Sequence, residues 1–595
     1  MTAGRLTGGG DKAAQGLRAP ARTEFLAPGL IAWRRVLMAL VVVALAQTFL
    51  GHTKALTELF FYRQDLAVAG GFLVLLTGLY LVRPLATPLP APPVGWGAAA
   101  LIAVATTAFA WAGSRLVYDG YALSLDEYMA VFDARIFQAG QWAARVPAEW
   151  RAYTQALQPQ FVLTSPDHGF WISGYEPMNA ALRAMASVIG AESLLNPALA
   201  GVAVIATYGA ARRLWPERPQ AAAVAAVLLA TSSQVLVAAM TPYAMTAHLA
   251  LNMVWLWLFL RGGRLGHGLA PLAAFIATGL HQIIFHPLFA APFVLELWLA
   301  RRWRAAAWHT LAYAAIGAFW LLYPGQLAHH MAQGQAPGAA AGGASLMATA
   351  AGLVAGFDPW GIGLMAKNLV RLVTWQSLLT VPLTLIALPA AVRAKGMPRA
   401  MVVGLALMLA AMLVLLPYQG HGWGYRYLHG LLGTLSLLAA WSWTRLTQGL
   451  DPAAQRSARA VFAAAAAASL AILLPIRLWQ VHAFVHPYAV AERAIQATPA
   501  DLVLVDSSAM WFGADLVRND PFLTRRPLVM ELGELKPEQV QALCARYRVA
   551  VFGAAEANAA GVRLSGGASA AGADSFTVNA TRGCSVAQHS PKVGP

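Results

Sequence analysis

The sequence predicts an α-helical polytopic membrane protein of about thirteen transmembrane helices. Interfacial helices are expected in its first large outer loop, and a small α/β domain at its C-terminal end. Three observations predict it. Of the 595 residues, 58% are hydrophobic and only 11% charged, where a soluble domain carries about a quarter. Apolar runs of roughly 18 to 22 residues, each long enough to cross the hydrocarbon core, recur from about residue 30 to about residue 480. Basic clusters then fall at every second boundary between those runs, as cytoplasmic loops require.

Residues 1–29 are rich in Gly, Ala and Arg and read as a disordered cytoplasmic tail. The apolar segment that follows contains Arg34 and Arg35 and lacks a small-residue cleavage site, so it reads as a span rather than a removed signal peptide. The transmembrane region, 30–480, opens with spans near 30–50, 66–82 and 95–114. A polar outer loop, 115–195, comes next. Spans near 196–214, 219–239, 243–260, 268–284, 286–300 and 306–323 follow it. The pair that holds His281 and His286 is short, as a tight hairpin that does not fully cross would be. A second outer loop, 324–373, has a Gly/Ala-rich stretch from Gly334 to Gly343 and two short candidate interfacial helices, 345–356 and 360–372. The last spans lie near 374–391, 400–417, 427–444 and 460–478, with an outer turn at 418–426.

Orientation follows from the clusters at Arg34-Arg35, Arg83, Arg212-Arg213-Arg218, Arg261-Arg264, Arg301-Arg302-Arg304, Arg393-Lys395-Arg399 and Arg445-Arg456-Arg459. All share one parity, which puts them and the N-terminus in the cytoplasm and the loops 115–195 and 324–373 outside. The tail, 485–595, is then outside as well. In it, DLVLVD from Asp501 to Asp506 and VAVF from Val549 to Phe552 read as buried strands and Lys536 to Tyr547 as a helix. The Gly/Ala/Ser-rich end after about 556 reads as poorly ordered. Both cysteines, Cys544 and Cys584, lie in this tail without a Cys/His cluster that could form a structural zinc site. Outside the cytoplasm they can pair as a disulfide or stay free.

The formal net charge is +16, yet no basic stripe interleaved with exposed aromatics exists, so nucleic acid is not an expected partner. Acids are sparse in the spans: from Asn196 to Gln480 they are Glu217, Glu296, Asp358 and Asp451, all in loops or near a helix end. A secondary transporter coupled to protons or sodium needs ionisable groups near the midplane, and internal repeats; neither is visible. Asp119, Asp126, Glu127, Asp133, Glu149, Asp167 and Glu176 instead crowd the first outer loop. Reactive polar chemistry is therefore expected at the membrane surface.

The stretch Ser124 to Gly140, SLDEYMAVFDARIFQAG, is the centre of that loop. Ser followed three residues later by Glu is a capping box, and Asp126 in the first turn complements the helix dipole. The same helix start would also fix a carboxylate near the lipid surface, so a structural and a chemical role for Asp126 and Glu127 coexist. Asp133 shares the Asp126 face, where a solvated helix surface is the simpler reading. Arg135 reads as an ion-pair partner.

An Asp-Glu pair just after an early span, an amphipathic helix ending in Gly140 and then alternating spans resembles the C-type (GT-C) membrane glycosyltransferases. These are polyprenyl-phosphate-sugar-dependent enzymes that include protein O-mannosyltransferases and lipid A aminoarabinose transferases. Three further stretches fit: WISGYEP from Trp171 to Pro177, Leu194 to Pro197 leading through a span to Ala211–Trp215, and HGWGYRY from His421 to Tyr427. The resemblance covers roughly residues 30–480. It implies a GT-C-like fold in a bacterial inner membrane and transfer of a sugar, with inversion, from a polyprenyl phosphate to a periplasmic hydroxyl of a lipid or glycan. It further implies Asp126 as the base, with Glu127 orienting it or sharing a divalent cation (Mg or Mn) with it. Arg426 is the implied phosphate clamp, with lipid-headgroup anchoring as its other reading. His281 and His286 are candidate phosphate contacts or simply buried histidines satisfied by carbonyls. Tyr243, His248, Tyr175 and Tyr427 are candidate lining residues; Trp142, Trp150, Phe170 and Trp171 are sugar-stacking or interfacial aromatics. Competing expectations are a ligase or polymerase of lipid-linked glycans, independent of Asp126, and a lipid or polysaccharide transporter.

Overall fold

The computed structural model describes residues 27–49, 59–79, 95–158, 160–332 and 361–565. Most of the N-terminal tail, the stretch from Gly334 to Gly343, the candidate helix 345–356 and the end after 565 lie outside those residues.

Each apolar stretch singled out in the sequence carries a helix. They begin with α1 (Ala27–Phe49), α2 (Leu66–Gly78) and α3 (Trp96–Leu116). The first outer loop contributes α4 (Leu125–Gln138), a three-stranded antiparallel sheet and α5 (Met178–Val188). Then come α6 (Leu195–Leu214), α7 (Pro219–Ala230), α8 (Ser233–Ala238), α9 (Ala244–Arg261), α10 (Gly263–Thr278), α11 (Phe285–Leu299) and α12 (Trp303–Met331). The C-terminal half holds α13 (Gly361–Thr374), α14 (Thr380–Arg393), α15 (Met397–Leu415), α16 (Leu432–Thr447), α17 (Pro452–Ala468) and α18 (Leu474–Ala497). Among the described residues, five helical stretches are long and apolar enough to cross a membrane by themselves: Trp96–Leu116, Glu192–Leu214, Trp303–Met331, Met397–Leu415 and Pro452–Ala497. Several others are shorter. The expected span 219–239, for example, is cut at Thr231, because the Ser232 side chain accepts the Val235 amide at 3.3 Å and starts α8 afresh. His281 sits in the turn between α10 and α11, of 16 and 15 residues, and His286 is the second residue of α11.

The helix expected at 360–372 does not lie on the surface. Lys367, Asn368 and Arg371 of α13 are fully buried. Arg371 Nε donates to Asp65 Oδ2 at 3.1 Å and its Nη2 to the Gly422 carbonyl at 2.7 Å, while Arg477 Nη2 reaches Asp65 Oδ1 at 2.7 Å. A helix whose charges find partners inside can leave the interface.

The small sheet in the first outer loop was not legible in the sequence. Its strands, β1 (Ala144–Arg145), β2 (Val162–Thr164) and β3 (Phe170–Ser173), are arranged β1-β3-β2. The tail forms β4 (Leu502–Val505), β5 (Leu528–Glu531), α19 (Pro537–Arg546), β6 (Val549–Phe552) and α20 (Ala554–Ala559), with a parallel sheet ordered β5-β4-β6. β5 was not expected. Neither was the continuity of the tail with the last span: the helix runs from Pro452 to Ala497 with a single π turn, straight through the boundary placed near 480–485. Cys544 takes part in a disulfide; Cys584 is outside the described residues.

Alternation along β4 explains why the tail is not a separate body. Val503 and Val505 join a cluster with Tyr118, Trp375, Trp423, Val481 and Val485. Leu502 and Leu504 face the other way, into a cluster with Leu125, Met129, Phe132 and Ile136 of α4 and Trp171 of β3. A parallel sheet buried on both faces needs a continuous apolar run, which LVLV supplies.

Candidate functional site

The stretch from Ser124 places α4 by three devices. The Ser124 hydroxyl accepts the Glu127 amide at 3.3 Å, and Glu127 Oε2 accepts the Leu123 amide at 2.5 Å. The apolar stripe Leu125, Met129, Phe132, Ile136 packs into the shared cluster. Finally, the first helical amide, Leu125 N–H, donates to Asp515 Oδ1 of the tail at 2.8 Å. Asp126, one residue on, points the opposite way from Glu127 in partners, if not in backbone: the two carboxylates share none.

Asp126 is the meeting point of the site. Its Oδ2 accepts from Arg426 Nη1 at 2.6 Å and from the Tyr243 hydroxyl, and His281 Nε2 lies 3.4 Å from Oδ1. Tyr175 stacks on His281 at 4.3 Å between ring centroids. Tyr427 accepts from Arg426 Nη2 at 3.1 Å, and the guanidinium lies over the Tyr243 and Tyr427 rings at 5.4 and 4.9 Å. Sequence separations of 117 and 300 residues are thus closed on one carboxylate.

Local structure explains each position. Asn196 donates to the Thr241 and Tyr243 carbonyls at 2.6 and 2.8 Å, fixing Tyr243 just before α9. The Met178 amide donates to the Gly279 carbonyl at 2.8 Å, which lays the segment after β3 along the α10–α11 turn and Tyr175 on His281. Arg426 ends a turn held by Gln419, which accepts the Arg426 amide at 3.0 Å and donates to the Gly424 carbonyl at 2.8 Å. Gly422 and Gly424 have φ of 137° and 65°, and a Cβ on Gly424 would stand 2.4 Å from Gln234. Glycine is required there on both counts.

The predicted residues therefore divide. Asp126, Arg426, Tyr243, His281, Tyr175 and Tyr427 come together. His286 does not: its Nδ1 lies 2.7 Å from Asn252 Oδ1 and its Nε2 2.9 Å from the Tyr313 hydroxyl, so both nitrogens are spent on helix packing. His248 is buried on α9 against Phe285, beside rather than in the group around Asp126. Of the candidate stacking aromatics, Trp142 is exposed, whereas Trp150 and Trp171 are buried in the loop–tail cluster. Glu127 does not share Asp126's partners: it turns to the Leu123 amide, whereas Asp126 faces Arg426, Tyr243 and His281.

Electrostatics separate the carboxylates further. Burial alone would raise the Asp126 carboxyl, but the Arg426 guanidinium and the His281 ring outweigh it and hold it below the usual range. Burial pushes Glu127 up to about 7 against the opposing pull of its neighbours, and does the same to Glu176. Asp133, expected on a solvated face, is 2% exposed, and burial pushes it to about 7 despite the Ser173 amide it accepts at 2.9 Å. Asp133 and Glu176 line one cleft with Asp126, Tyr175, Tyr243 and His281. Asp133, placed by its spacing on the Asp126 face but read as solvated, and Glu176, counted among the loop acids but given no role, are the site neighbours that sequence reasoning undervalued. For Glu176 the available signal was its position directly after Tyr175.

Asp133 yields a prediction with a definite sign. Its folded value lies above the ordinary 3.8, so the folded state binds more protons than the unfolded one between those two values. Stability from this group is full at low pH and is lost as pH rises through about 7. Asp133→Asn keeps the acceptor for the Ser173 amide and cannot ionise. Relative to wild type it should gain on the order of 2–4 kcal/mol between pH 5 and pH 8. Melting curves at the two pH values check this; equal differences at both would mean Asp133 titrates normally.

The tail reaches the same site. Asp515 Oδ2 lies 2.8 Å from His421 Nε2, and the His421 carbonyl accepts Arg426 Nη1 at 2.9 Å. Arg518 Nη2 donates to the Leu123 carbonyl at 3.0 Å, and the Tyr128 hydroxyl to the Asn519 carbonyl at 2.9 Å. Asp515 so braces both the start of α4 and the turn of Arg426. Asp515→Ala should lower turnover roughly 10- to 100-fold by loosening both. Asp515→Asn, which keeps an acceptor for Leu125, should restore most of it. Equal losses in both variants, tracking a fall in Tm, would reduce Asp515 to a folding role.

No family profile matches the chain, and no curated protein matches it. Among solved structures, the chain is similar to ArnT from Cupriavidus metallidurans in the apo state, with 13% identity, a TM-score of 0.43, and 75% of this chain and 94% of that one covered. The same protein bound to undecaprenyl phosphate gives 12% and 0.43 over 72% and 85%. The oligosaccharyltransferase of Archaeoglobus fulgidus in complex with Zn and sulfate gives 12% and 0.44 over 70% and 61%.

Proposed function

We propose that this chain is an inner-membrane glycosyltransferase that moves a sugar from a polyprenyl phosphate to an acceptor hydroxyl on the periplasmic face. The observation that carries the reading is the convergence on Asp126 of Arg426, Tyr243 and His281, backed by Tyr175 and Tyr427. A buried carboxylate paired with an arginine that a phosphate can recruit is what transfer from a phosphate-linked sugar needs.

In the reaction, the acceptor oxygen attacks the anomeric carbon while the bond from that carbon to the phosphate oxygen breaks, with inversion. The hydroxyl proton goes to Asp126, and the phosphate leaves on the lipid with its charge met by Arg426. Arg426 serves both groups in turn. With no donor bound, it holds Asp126 ionised and weakly basic. Once its guanidinium turns to the phosphate, burial is left as the dominant influence on Asp126 and makes it a stronger base. Basicity is thereby coupled to donor occupancy. Tyr175 and His281 present a stacked ring pair to the sugar, and a lipid or glycan is the acceptor class this reading takes. In it the N-terminus is cytoplasmic, the tail periplasmic and the chain crosses the membrane about thirteen times, as the basic clusters require.

The experiment is transfer of radiolabelled sugar in membranes supplied with polyprenyl-phosphate sugars and lipid or glycan acceptors. Transfer by the wild-type chain, absent from membranes lacking it, is the expected result. No transfer from any donor, with lipid or glycan export intact, would return the transporter reading.

A further inference from the structure

Away from Asp126, we propose a transition-metal site of the zinc class built by Asp119, His482 and His486. It clamps α18 to the loop between α3 and α4. Among the described residues, these form the one group of three ligating side chains whose donor atoms all lie within 4.8 Å of one another. His482 and His486 are one helical turn apart on α18, so their rings share a face, with centroids 4.9 Å apart. Asp119 comes from the chain just after α3, and its Oδ2 lies 2.6 Å from His486 Nδ1.

The chemistry of each donor fits. His482 Nδ1 lies 3.2 Å from the Val117 carbonyl. A carbonyl can only accept, so in the neutral ring Nδ1 carries the hydrogen and Nε2 the lone pair. A backbone carbonyl that fixes the tautomer of a ligating histidine in this way is the usual outer support of a metal site. Two imidazoles and one carboxylate suit zinc and its neighbours rather than magnesium or calcium, which prefer oxygen-only shells. The side chain of Asp119 is 17% exposed and that of His486 48%, so an ion can enter from solvent and a water can complete a tetrahedron. Binding sends the proton between His486 and Asp119 to solvent and opens their 2.6 Å contact by roughly 0.7 Å to admit the ion between the two ligands.

The location gives the clamp its consequence. Asp119 lies between α3 and Ser124, the cap of the helix that carries Asp126. α18 leads directly into β4 and the tail that carries Asp515. A bound ion would reinforce the two hydrogen bonds, His486 to Asp119 and His482 to the Val117 carbonyl, that now join the two segments. The site stands independently of the proposed sugar transfer.

The test is zinc content of the full chain, purified without a polyhistidine tag, stripped with chelator, equilibrated with micromolar Zn2+ and desalted. Wild type should retain one zinc per chain and melt at a higher temperature with zinc than without. His482→Ala and His486→Ala should bind at least ~10-fold more weakly and lose the thermal shift. Their melting in chelator should match the wild type; if either has unfolded, Asp119→Asn, which keeps size and shape, decides by the same readouts. No zinc retained by wild type, or equal zinc in wild type and variants, overturns the site; the second outcome would point to another group such as the adjacent His329 and His330.

Discussion

Asp126→Asn should reduce sugar transfer by at least ~10^3-fold while donor affinity is kept or improved. Loss of the base removes the proton acceptor, which by itself is worth ~10^2- to 10^4-fold. The same change deprives Arg426 of its counter-charge and leaves the guanidinium free for the donor phosphate. KM for the donor should therefore stay level or fall as kcat collapses, a split that a merely structural role does not produce. Asn still accepts from Tyr243, and Arg426 keeps the His421 carbonyl and the Tyr427 hydroxyl, so insertion and folding should survive. Full transfer by Asp126→Asn would sink the assignment. If Glu176→Gln then abolished transfer, the base would be Glu176, which lines the same cleft with its carboxyl pushed to about 7. If only Arg426→Ala abolished it, a ligase or polymerase of lipid-linked glycans would become the better description.

Arg426→Ala should have the second largest effect, a ~10^2- to 10^3-fold fall in transfer with weakened donor binding, because it removes the charge that meets the leaving phosphate. It should also destabilise the protein by about 3–5 kcal/mol, since it strands a carboxylate whose side chain is only 8% exposed. The sign of the pH dependence distinguishes this from generic damage. In the wild type the folded carboxyl is held below its ordinary value, so its contribution to stability is present above the ordinary carboxylate range and is lost only as pH falls below it. In Arg426→Ala burial dominates and the folded value rises above the ordinary one, so stability should fall as pH rises toward neutrality. Thermal melts from pH 5 to pH 8 read this directly. Adding Asp126→Asn to Arg426→Ala should recover a good part of the lost stability and none of the transfer. A double variant no more stable than Arg426→Ala would show that the ion pair is not what the arginine contributes. Arg426→Lys keeps the charge without the planar fork and should fall between.

Several features were legible before any coordinates. Composition and the run of apolar segments gave the helices, because a chain in hydrocarbon must satisfy its backbone within each segment. The acids from Asp119 to Glu176 marked the stretch that carries Asp126, and the Ser124–Glu127 spacing marked the start of α4. The paired strands of the tail were readable from LVLV and VAVF. The sheet of the first loop was not, because strands of two to four residues are too short to show a period. Nor was the burial of α13, whose Arg371 is met by Asp65 and the Gly422 carbonyl and whose Lys367 lies over the Phe61 and Tyr62 rings.

What the sequence alone determined is a chain built mostly of apolar helices and the residue types available to the site. What only the tertiary structure decided is which of them meet. His281 and His286 look equivalent along the chain, yet one faces Asp126 and the other is consumed by Asn252 and Tyr313. Asp126 and Glu127 look like a pair, yet one opens into the cleft and the other closes a helix cap. Asp515 lies far along the tail, yet it holds the start of α4. The physical reason is that periodicity and composition fix which face of an element is apolar, a local property, whereas a partner for a buried charge is fixed by packing across hundreds of residues.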